Sequence, residues 1–395
     1  MSFQFSHRLD WEIVPNPFAQ AVGRATQSEN LIDLTQTNPA RFCGPTTDLL
    51  KLANRYRPDP RGMLTARQGI ARYYANRGCR VDPDHIVLCS GTSEAYLWLF
   101  QLLADPGDTV LIPEPGYPLI PILAQLAGIQ TMSYPIRCDG RFYYSASEVI
   151  SSFTPRTKAL VLVNPNNPTG NFLRSDQVPA LLGYCADEEI PIISDEVFSD
   201  YLFDWESQWG PPRVTSVLQL PTPHQDVPVV RFVLSGFSKV LALPQLKLSW
   251  IVIAGPEPLR TIVQERLELI ADMFLSVSDP VQAAASTLLQ SRHDHTLALH
   301  LNLSRSLVQA EKALRHSSVT LIPPEGGFLA VLRLPKIMEE LAMYERIIEE
   351  CQVIVQPGSL YDFAEDHFYA VVSLLTDPHD IYRGLFRLGA WCDSF

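Results

Sequence analysis

At residues 235–250 the chain reads SGFSKVLALPQLKLSW, and this stretch lies between two apolar runs. The runs cover residues 229–234 and 248–254, and short continuous apolar runs of this kind are typical of buried strands. Lys239 is therefore predicted in a turn between two core strands, where burial disfavours the charged ammonium and lowers its pKa. A neutral lysine amine can form a Schiff base with a carbonyl group. An ordinary loop lysine is the simpler interpretation of this stretch alone, so the rest of the chain has to decide.

The composition narrows the class of protein. The chain has 395 residues, of which 46% are hydrophobic and 19% are charged, and this predicts a globular protein of two or three domains. The net charge of −12 and the lack of a basic run argue against nucleic acid or an anionic membrane as a partner. Seven cysteines without a C-x-x-C pair favour free thiols in a reducing compartment, and we predict no metal site. The first ten residues contain no apolar signal core, so we expect a cytoplasmic protein.

Short apolar runs alternate with helical patterns through the first two thirds of the chain. Predicted strands cover residues 86–89, 109–112, 159–163, 190–194, 229–234 and 248–254, and predicted helices lie near 62–77, 117–126 and 177–188, with an apolar helix that follows residues 90–94 and runs to 104. This alternation predicts an α/β domain whose mostly parallel sheet is covered on both faces. After about residue 280, long amphipathic helices and short strands predict a smaller α+β domain. We expect an N-terminal arm at 1–45 that contributes to the small domain, a large domain at 46–280 and the small domain at 281–395.

Chemically useful residues follow several predicted strands at the point where each strand ends. They are Ser90-Gly91-Thr92, Asn167, Asp195 and Ser238-Lys239. Ligands of parallel sheets bind beyond the carboxyl ends of the strands, so these residues are expected to converge on one site. Ser90-Gly91-Thr92 precedes a helix, whose unpaired N–H groups make a good phosphate cradle. A plain helix cap is the alternative for this turn.

Asp195 and Asn167, together with Tyr117, fit a site for an aromatic heterocycle. A buried Asp195 would favour a protonated ring nitrogen beside it, and such a ring is an electron sink for a carbanion. Asn167 could donate to a phenolate oxygen, or it could serve only in a turn rich in Asn, Pro and Gly. Tyr117 could stack on the ring or pack at a helix start.

Six motifs together resemble, in order, those of the class I/II pyridoxal-phosphate aminotransferases, the fold type I family to which aspartate aminotransferase belongs. The motifs are Tyr56-Arg57-Pro58 with Gly62 and Ala66-Arg67, then Ser90-Gly91-Thr92, Pro106-Gly107-Asp108 with Pro115 and Tyr117, Asn167-Pro168-Thr169-Gly170, Asp195-Glu196-Val197, and Ser238-Lys239. The resemblance covers nearly the whole chain. It implies a fold type I transferase that depends on pyridoxal 5′-phosphate (PLP). This fold has a large domain with a mostly parallel seven-stranded sheet flanked by helices, and a smaller α+β domain.

The resemblance also implies roles at matched positions. Lys239 would form the internal aldimine and later move a proton between substrate and cofactor. Asp195 would pair with the pyridine nitrogen, Asn167 would hydrogen-bond the ring oxygen, and Tyr117 would stack on the ring.

The phosphate and the substrate also have expected partners in the resemblance. The residues expected around the phosphate are Ser90, Gly91, Thr92, Ser238 and Lys247. Tyr56 would reach the phosphate of a neighbouring subunit, which implies a homodimer with shared active sites. Asn38 would lie near the substrate.

Four positions depart from the family pattern near the cofactor and the substrate. Phe198 stands where a tyrosine usually donates to the ring oxygen, and Gly236 stands where relatives often have a phosphate-side serine. Lys247 replaces an arginine, which keeps the charge but loses the bidentate fork. Val371 replaces the arginine that clamps the substrate carboxylate, so either Arg41 substitutes or the substrate is not a standard α-amino acid. Arg41 could equally be an ordinary surface residue.

The motifs favour an aminotransferase that moves an amino group between an amino acid or amine and a keto acid. A PLP-dependent lyase, replacement enzyme or cyclase acting on an amino-acid-derived substrate is the alternative, because these reactions share the same core motifs. A regulator domain that binds ligand without turnover is less favoured, since the chain lacks a DNA-binding segment.

Overall fold

The computed structural model describes residues 17–25, 30–42, 58–203, 211–220 and 229–395. The helices are α1 (Pro17–Ala25), α2 (Leu64–Ala75), α3 (Thr92–Leu103), α4 (Leu119–Ala127), α5 (Ala146–Ser151), α6 (Val178–Asp187), α7 (Phe237–Val240), α8 (Leu259–Asp272), α9 (Asp279–Gln290), α10 (Arg292–Leu314), α11 (Glu340–Arg346) and α12 (Pro378–Cys392). The strands are β1 (Ile32–Asp33), β2 (Ile86–Cys89), β3 (Thr109–Glu114), β4 (Gln130–Pro135), β5 (Arg137–Cys138), β6 (Phe142–Tyr143), β7 (Thr157–Val163), β8 (Ile192–Asp195), β9 (Arg231–Gly236), β10 (Ser249–Ala254), β11 (Thr320–Ile322), β12 (Leu329–Leu334), β13 (Val353–Ile354), β14 (Gln356–Pro357) and β15 (Phe368–Ser373).

A seven-stranded sheet with the order β2-β10-β9-β8-β7-β3-β4 forms the centre of the protein. Strand β10 runs antiparallel to both of its neighbours, and the pairs from β9 to β4 are all parallel. Every residue of β2, β8 and β9 is buried, as their continuous apolar runs require in a sheet covered on both faces. The predicted fold, with a mostly parallel seven-stranded sheet flanked by helices, is confirmed.

Helices cover both faces of this sheet. Helices α2, α5, α6 and α9 share one buried core, and α3, α4 and α8 share the other. Successive strand residues alternate between the two cores, so Val233 lies in the first core while Phe232 and Leu234 lie in the second. This packing fixes the register of the strands, and it therefore fixes where each strand end lies.

A smaller antiparallel sheet with the order β11-β12-β15-β14 packs with α10 and α12. Strand β1 pairs in parallel with β13, and Ile32 and Leu34 join the core beneath α10 and α12. We propose that residues 1–45 and 281–395 form the smaller domain and that residues 46–280 form the larger one. The N-terminal pairing and this shared core support that division.

The short elements α1, α5, β5 and β6 were not predicted, and three further departures concern the central sheet and the site. Strand β4 is the seventh strand of the large sheet, and most of its side chains are exposed or half-buried at the sheet edge, so it has no apolar run. Helix α8 was not predicted, because apolar residues on its exposed face weaken the amphipathic periodicity. The predicted turn at Lys239 contains the short helix α7.

Within the described residues, no helix combines the length and the apolar character that are needed to span a bilayer. The six cysteines in these residues are all free thiols, and five of them are buried.

Candidate active site

A cavity of about 540 Å³ lies between the large sheet and the small one. The large domain supplies the last residues of three strands, Val163 of β7, Asp195 of β8 and Gly236 of β9. The small domain supplies Leu329 of β12 and Gln356 of β14. Seven of the predicted site residues line the cavity: Thr92, Tyr117, Asn167, Asp195, Phe198, Ser238 and Lys239. The expected convergence at the carboxyl ends of the strands is therefore present in the fold.

Lys239 lies on α7, directly after β9, and points into the cavity. Its Nζ donates to the backbone carbonyl of Thr37 at 3.4 Å and lies 5.3 Å from the ring centroids of both Phe198 and Phe328. Burial lowers the pKa of Lys239 to about 8, although the nearby Asp195 carboxylate opposes this shift. At pH 7 this leaves about one tenth of the amine neutral, far more than for an exposed lysine.

Tyr201 fixes the backbone beneath this lysine. Its hydroxyl donates a hydrogen bond to the carbonyl of Lys239. Its ring contacts Phe328 edge-on at 4.6 Å and stacks on His300 of α10 at 4.8 Å. Sequence reasoning missed Tyr201, because a buried tyrosine outside any motif gives no signal of what its hydroxyl binds.

Asp195 ends β8 and is almost fully buried. Its carboxylate accepts hydrogen bonds from the Tyr96 hydroxyl at 3.1 Å and from the Val197 N–H at 3.2 Å. Burial raises the pKa of Asp195 to about 6, and those two donors and Lys239 act in the opposite direction. The carboxylate is therefore ionised at neutral pH, and a cationic ligand group in the cavity would stabilise it further. Tyr96 was also missed, since its position on α3 predicts only a core residue.

Glu196 follows Asp195 in the sequence, but its side chain makes hydrogen bonds in the protein interior. Its carboxyl group accepts from the Ser194 hydroxyl at 2.9 Å and from the Val217 N–H at 2.8 Å, and it does not line the cavity. Burial raises its pKa to about 7. Only the first residue of the Asp-Glu pair is available for chemistry, as the alternation along a strand requires.

The predicted phosphate cradle lies at the N-terminus of α3. Thr92 begins the helix and lines the cavity. Ser90 lies behind the cavity wall, where its N–H and its hydroxyl donate to the Glu94 carboxylate at 2.7 and 3.0 Å. The Ser276 hydroxyl donates to the same carboxylate at 2.7 Å. Glu94 therefore holds the turn in place, and the role of Ser90 at a phosphate stays a prediction.

The ammonium group of Lys247 lies close to Gly91 in this turn. A Cβ atom at Gly91 would lie 3.7 Å from the Nζ of Lys247. Lys247 has a left-handed backbone with φ of +49° at the end of a short 3₁₀ helix, and its side chain is exposed. The helix N-terminus and this ammonium group place positive charge at one end of the cavity.

Asn167 lines the cavity and has unused hydrogen-bonding capacity. Its Oδ1 is buried without a hydrogen-bond partner among the described residues. The loop that carries it is held by Asn166, whose Nδ2 donates to the carbonyl of Pro115 at 3.1 Å and to Thr169 Oγ1 at 2.7 Å. A buried amide with an unpaired oxygen in a cavity is typical of a ligand site.

Aromatic side chains form the remaining walls near Lys239. Tyr117 lines the cavity but is 39% exposed, and burial raises the pKa of its hydroxyl. Phe198 contacts Phe328 edge-on at 5.0 Å and brings no hydrogen-bond donor to the cavity. As expected from the sequence, position 198 has no hydroxyl group, and its ring forms part of an apolar wall.

Val371 is buried in the core of β15 and does not line the cavity. Directly opposite it on β14 is Gln356, and side chains opposite each other in an antiparallel pair share one face of the sheet. Gln356 does line the cavity, and its Oε1 accepts a hydrogen bond from the Tyr361 hydroxyl. No described residue accepts a hydrogen bond from the amide N–H groups of Gln356, which leaves them for a ligand. Sequence reasoning missed this residue, because the pairing of β14 with β15 is not visible in the pattern.

The structure does not place the other three predicted residues, Asn38, Arg41 and Tyr56, in the cavity lining. Asn38 is exposed and does not line the cavity, although its neighbour Thr37 does. Arg41 lies in the 3₁₀ helix Pro39–Phe42, but its side chain is not among the described parts of the structure. Tyr56 lies outside the described residues. Among the described residues that line the cavity, Lys239 and Asp195 carry the charged side chains.

Comparisons with known proteins agree with this fold. The family model for aminotransferase class I and II matches residues 49–369. The chain is 27% identical over 388 residues to an alanine aminotransferase of Mycobacterium tuberculosis, covering 93% of this chain and 87% of the relative. It is 27% identical over 350 residues to an arginine–pyruvate transaminase of Pseudomonas aeruginosa, covering 87% of this chain and 85% of the relative.

The fold is also that of a solved structure, an alanine aminotransferase from Pyrococcus furiosus. The TM-score is 0.85 at 21% sequence identity, and the match covers 99% of this chain and 100% of the other. The family model spans most of the chain, from before the phosphate turn to the strand of Val371. The chain therefore belongs to the class I and II aminotransferases, and it is an aminotransferase of fold type I.

Proposed function

We propose that the cavity binds PLP and that Lys239 is the residue that carries it. The observation that supports this best is a half-buried lysine of lowered pKa near a buried carboxylate, Asp195, at the converging ends of the strands. The enzyme would move an amino group between an amino acid or amine and a keto acid.

The donor set of the cavity fits this cofactor. Hydroxyl groups of Thr92 and Ser238, with Lys247 close to the same helix N-terminus, suit a phosphate. Asp195 suits a protonated ring nitrogen, and the unpaired amide of Asn167 suits a ring substituent. When bound, PLP supplies a carbonyl carbon for an amine and an electron sink for bond breaking at the substrate carbon.

The protein then supplies position and proton transfer. Asp195, held by Tyr96, would keep its negative charge against the ring nitrogen and so hold a proton there. Lys239 would take a proton from the substrate carbon at Nζ and return it, a function that its lowered pKa suits. Tyr201 would keep α7 in place while the lysine side chain moves.

A homodimer remains part of the proposal. The resemblance assigns Tyr56 to the phosphate of a neighbouring subunit, and α8 with its C-terminal turn exposes large apolar side chains that a second copy could cover. Of these, Leu269 is 70% exposed and Met273 is 74% exposed. Light scattering at micromolar concentration would give twice the 44.3 kDa chain mass if the proposal is right. The cytoplasmic location rests on the free thiols and stays a prediction.

The names of the two relatives suggest the first substrates to test. One relative is an alanine aminotransferase and the other uses pyruvate, so we propose alanine and pyruvate as one donor and acceptor pair. Purified protein incubated with PLP should absorb visible light. The absorbance should change when an amino donor is added and recover with a keto acid, and Lys239→Ala should abolish both changes. Release of ammonia or pyruvate without that reversible change would contradict transamination and favour a lyase.

A further inference from the structure

The Ser249 side chain fills the space that a side chain at position 236 would need, at the end of the cavity near α3. A Cβ atom built on Gly236 would lie 2.1 Å from Ser249 Oγ and 2.8 Å from Ser249 Cβ. Backbone atoms cannot relieve such a contact cheaply, because Gly236 and Ser249 are paired residues of β9 and β10. The φ of Gly236 is 178°, an extended conformation that any residue adopts. Glycine is therefore required at 236 for space, and the space is filled by the Ser249 side chain.

Strand pairing puts Ser249 between the two turns that form this end of the site. Ser249 is the first residue of β10, and its register partners are Cys89 on one side and Gly236 on the other. Cys89 precedes the Ser90-Gly91-Thr92 turn, and Gly236 precedes α7 with its Lys239. A hydroxyl at this point faces both turns at once.

The Ser249 side chain is buried but reaches the cavity. Only 3% of the residue is exposed, and it lines the cavity together with Thr92 and Ser238. Its hydroxyl makes no hydrogen bond to the described residues. Ser235, one residue before Gly236, differs from it, because its unpaired hydroxyl is sealed in the interior and does not line the cavity.

We propose that Ser249 is a phosphate-binding residue whose hydroxyl crosses from β10 into the place that a side chain at position 236 would take. The proposal rests on the proposed function, since the phosphate is that of PLP. A hydrogen bond from a serine to a phosphate oxygen is charge-assisted, and the N-terminus of α3 with Lys247 would neutralise the same group. The geometry further implies that the site has room for one serine, either at position 249 of β10 or at position 236 of β9, with glycine at the other position.

The first test compares PLP with pyridoxal, which lacks the phosphate. Dissociation constants of both compounds are measured spectroscopically for the full-length apoprotein, and inorganic phosphate serves as a competitor. Ser249→Ala should weaken PLP binding by about tenfold to a hundredfold, as the loss of a hydrogen bond to a charged group does, and leave pyridoxal binding unchanged. Ser235→Ala is the matched control, which should leave both affinities unchanged.

The second test exchanges the two side chains. Gly236→Ser alone should lower the affinity for PLP, because the two side chains collide. The double variant, Gly236→Ser with Ser249→Gly, should recover most of the preference for PLP over pyridoxal. An unchanged preference in Ser249→Ala, or a double variant that binds PLP no better than either single variant, would overturn the inference. If the wild-type protein binds neither compound, the proposed function itself fails.

Discussion

The hydroxyl of Tyr201 hydrogen-bonds to the backbone carbonyl of Lys239, so the lysine is held through its backbone while its side chain lines the cavity. The Tyr201 ring is fixed in turn by Phe328 of the small domain and His300 of α10. The position of the lysine thus depends on contacts made by both halves of the fold.

Tyr201→Phe should lower kcat several-fold and leave KM for the amino donor nearly unchanged, because the lysine is less well positioned after substrate has bound. Loss of one hydrogen bond should also cost about 1 kcal/mol of unfolding free energy. Tyr344→Phe is the matched control, since the Tyr344 hydroxyl donates to the backbone carbonyl of Tyr369, also in the protein interior. The control should be destabilised equally with kcat intact, and an equal fall of kcat in both variants would contradict a positioning role.

Lys239→Met should stabilise the apoprotein at pH 7 by on the order of 2 kcal/mol, because a partly desolvated ammonium group is lost. Wild-type Lys239 releases its proton near pH 8 when folded and near its ordinary pKa of 10.5 when unfolded. The unfolded chain therefore binds more protons between these values, and wild-type stability rises with pH there. Denaturant melts at pH 7 and pH 10 should show the advantage of the variant shrinking, with the exposed Lys247→Met as control. A constant difference would argue against burial of this amine.

Asp195→Asn should retain PLP but reduce the rate of the donor half-reaction by about a hundredfold or more, because no carboxylate then holds the ring nitrogen proton. The control is Glu196→Gln, which changes the adjacent buried carboxyl group that faces away from the cavity. Stopped-flow absorbance of the cofactor measures both rates. Comparable losses in the two variants would mean that the effect comes from the strand and not from Asp195.

Gln356→Leu should raise KM for alanine about tenfold and leave KM for ethylamine, its matching amine, unchanged, since the lost amide would bind the carboxylate. Arg41→Ala tests the other candidate in the same pair of substrates. If Arg41→Ala alone discriminates between the acid and the amine, Gln356 is not the carboxylate-binding group. An equal effect of both changes on both substrates would assign neither residue to the carboxylate.

Phe198→Tyr should move the pH titration of visible cofactor absorbance downward, by about one unit, because a hydroxyl donor stabilises a deprotonated ring oxygen. Phe198 contacts Phe328 and lines the cavity, so a hydroxyl added to its ring has a path toward the ligand. Phe198→Leu controls for loss of the ring contact and should leave the midpoint in place. A tyrosine variant that titrates like wild type would disprove the role assigned to this position.

The large sheet and the convergence of its strand ends were predictable, because buried parallel strands are continuous apolar runs and their ends meet at one edge. Seven of the residues that line the cavity, Thr92 and Lys239 among them, were predicted from motifs near those ends. Tyr96, Tyr201 and Gln356 could not be found in this way, since each acts through a partner that is distant in sequence. Ser249 is the clearest case, because only the pairing of β10 with both β2 and β9 shows which residue fills the space beside Gly236.

The position of β10 also bears on how the protein assembles. Strands β9 and β10 are near neighbours in sequence and can pair locally, but β2 lies far away near the start of the large domain. Loop closure over such a distance slows folding, because the entropy is lost before the contact is made. A newly made chain can thus have the turn at Lys239 in place before the Ser90-Gly91-Thr92 turn has reached it. If the proposed site binds PLP, tight binding would report that β2 and β10, the first and last strands of the central sheet in the sequence, have paired.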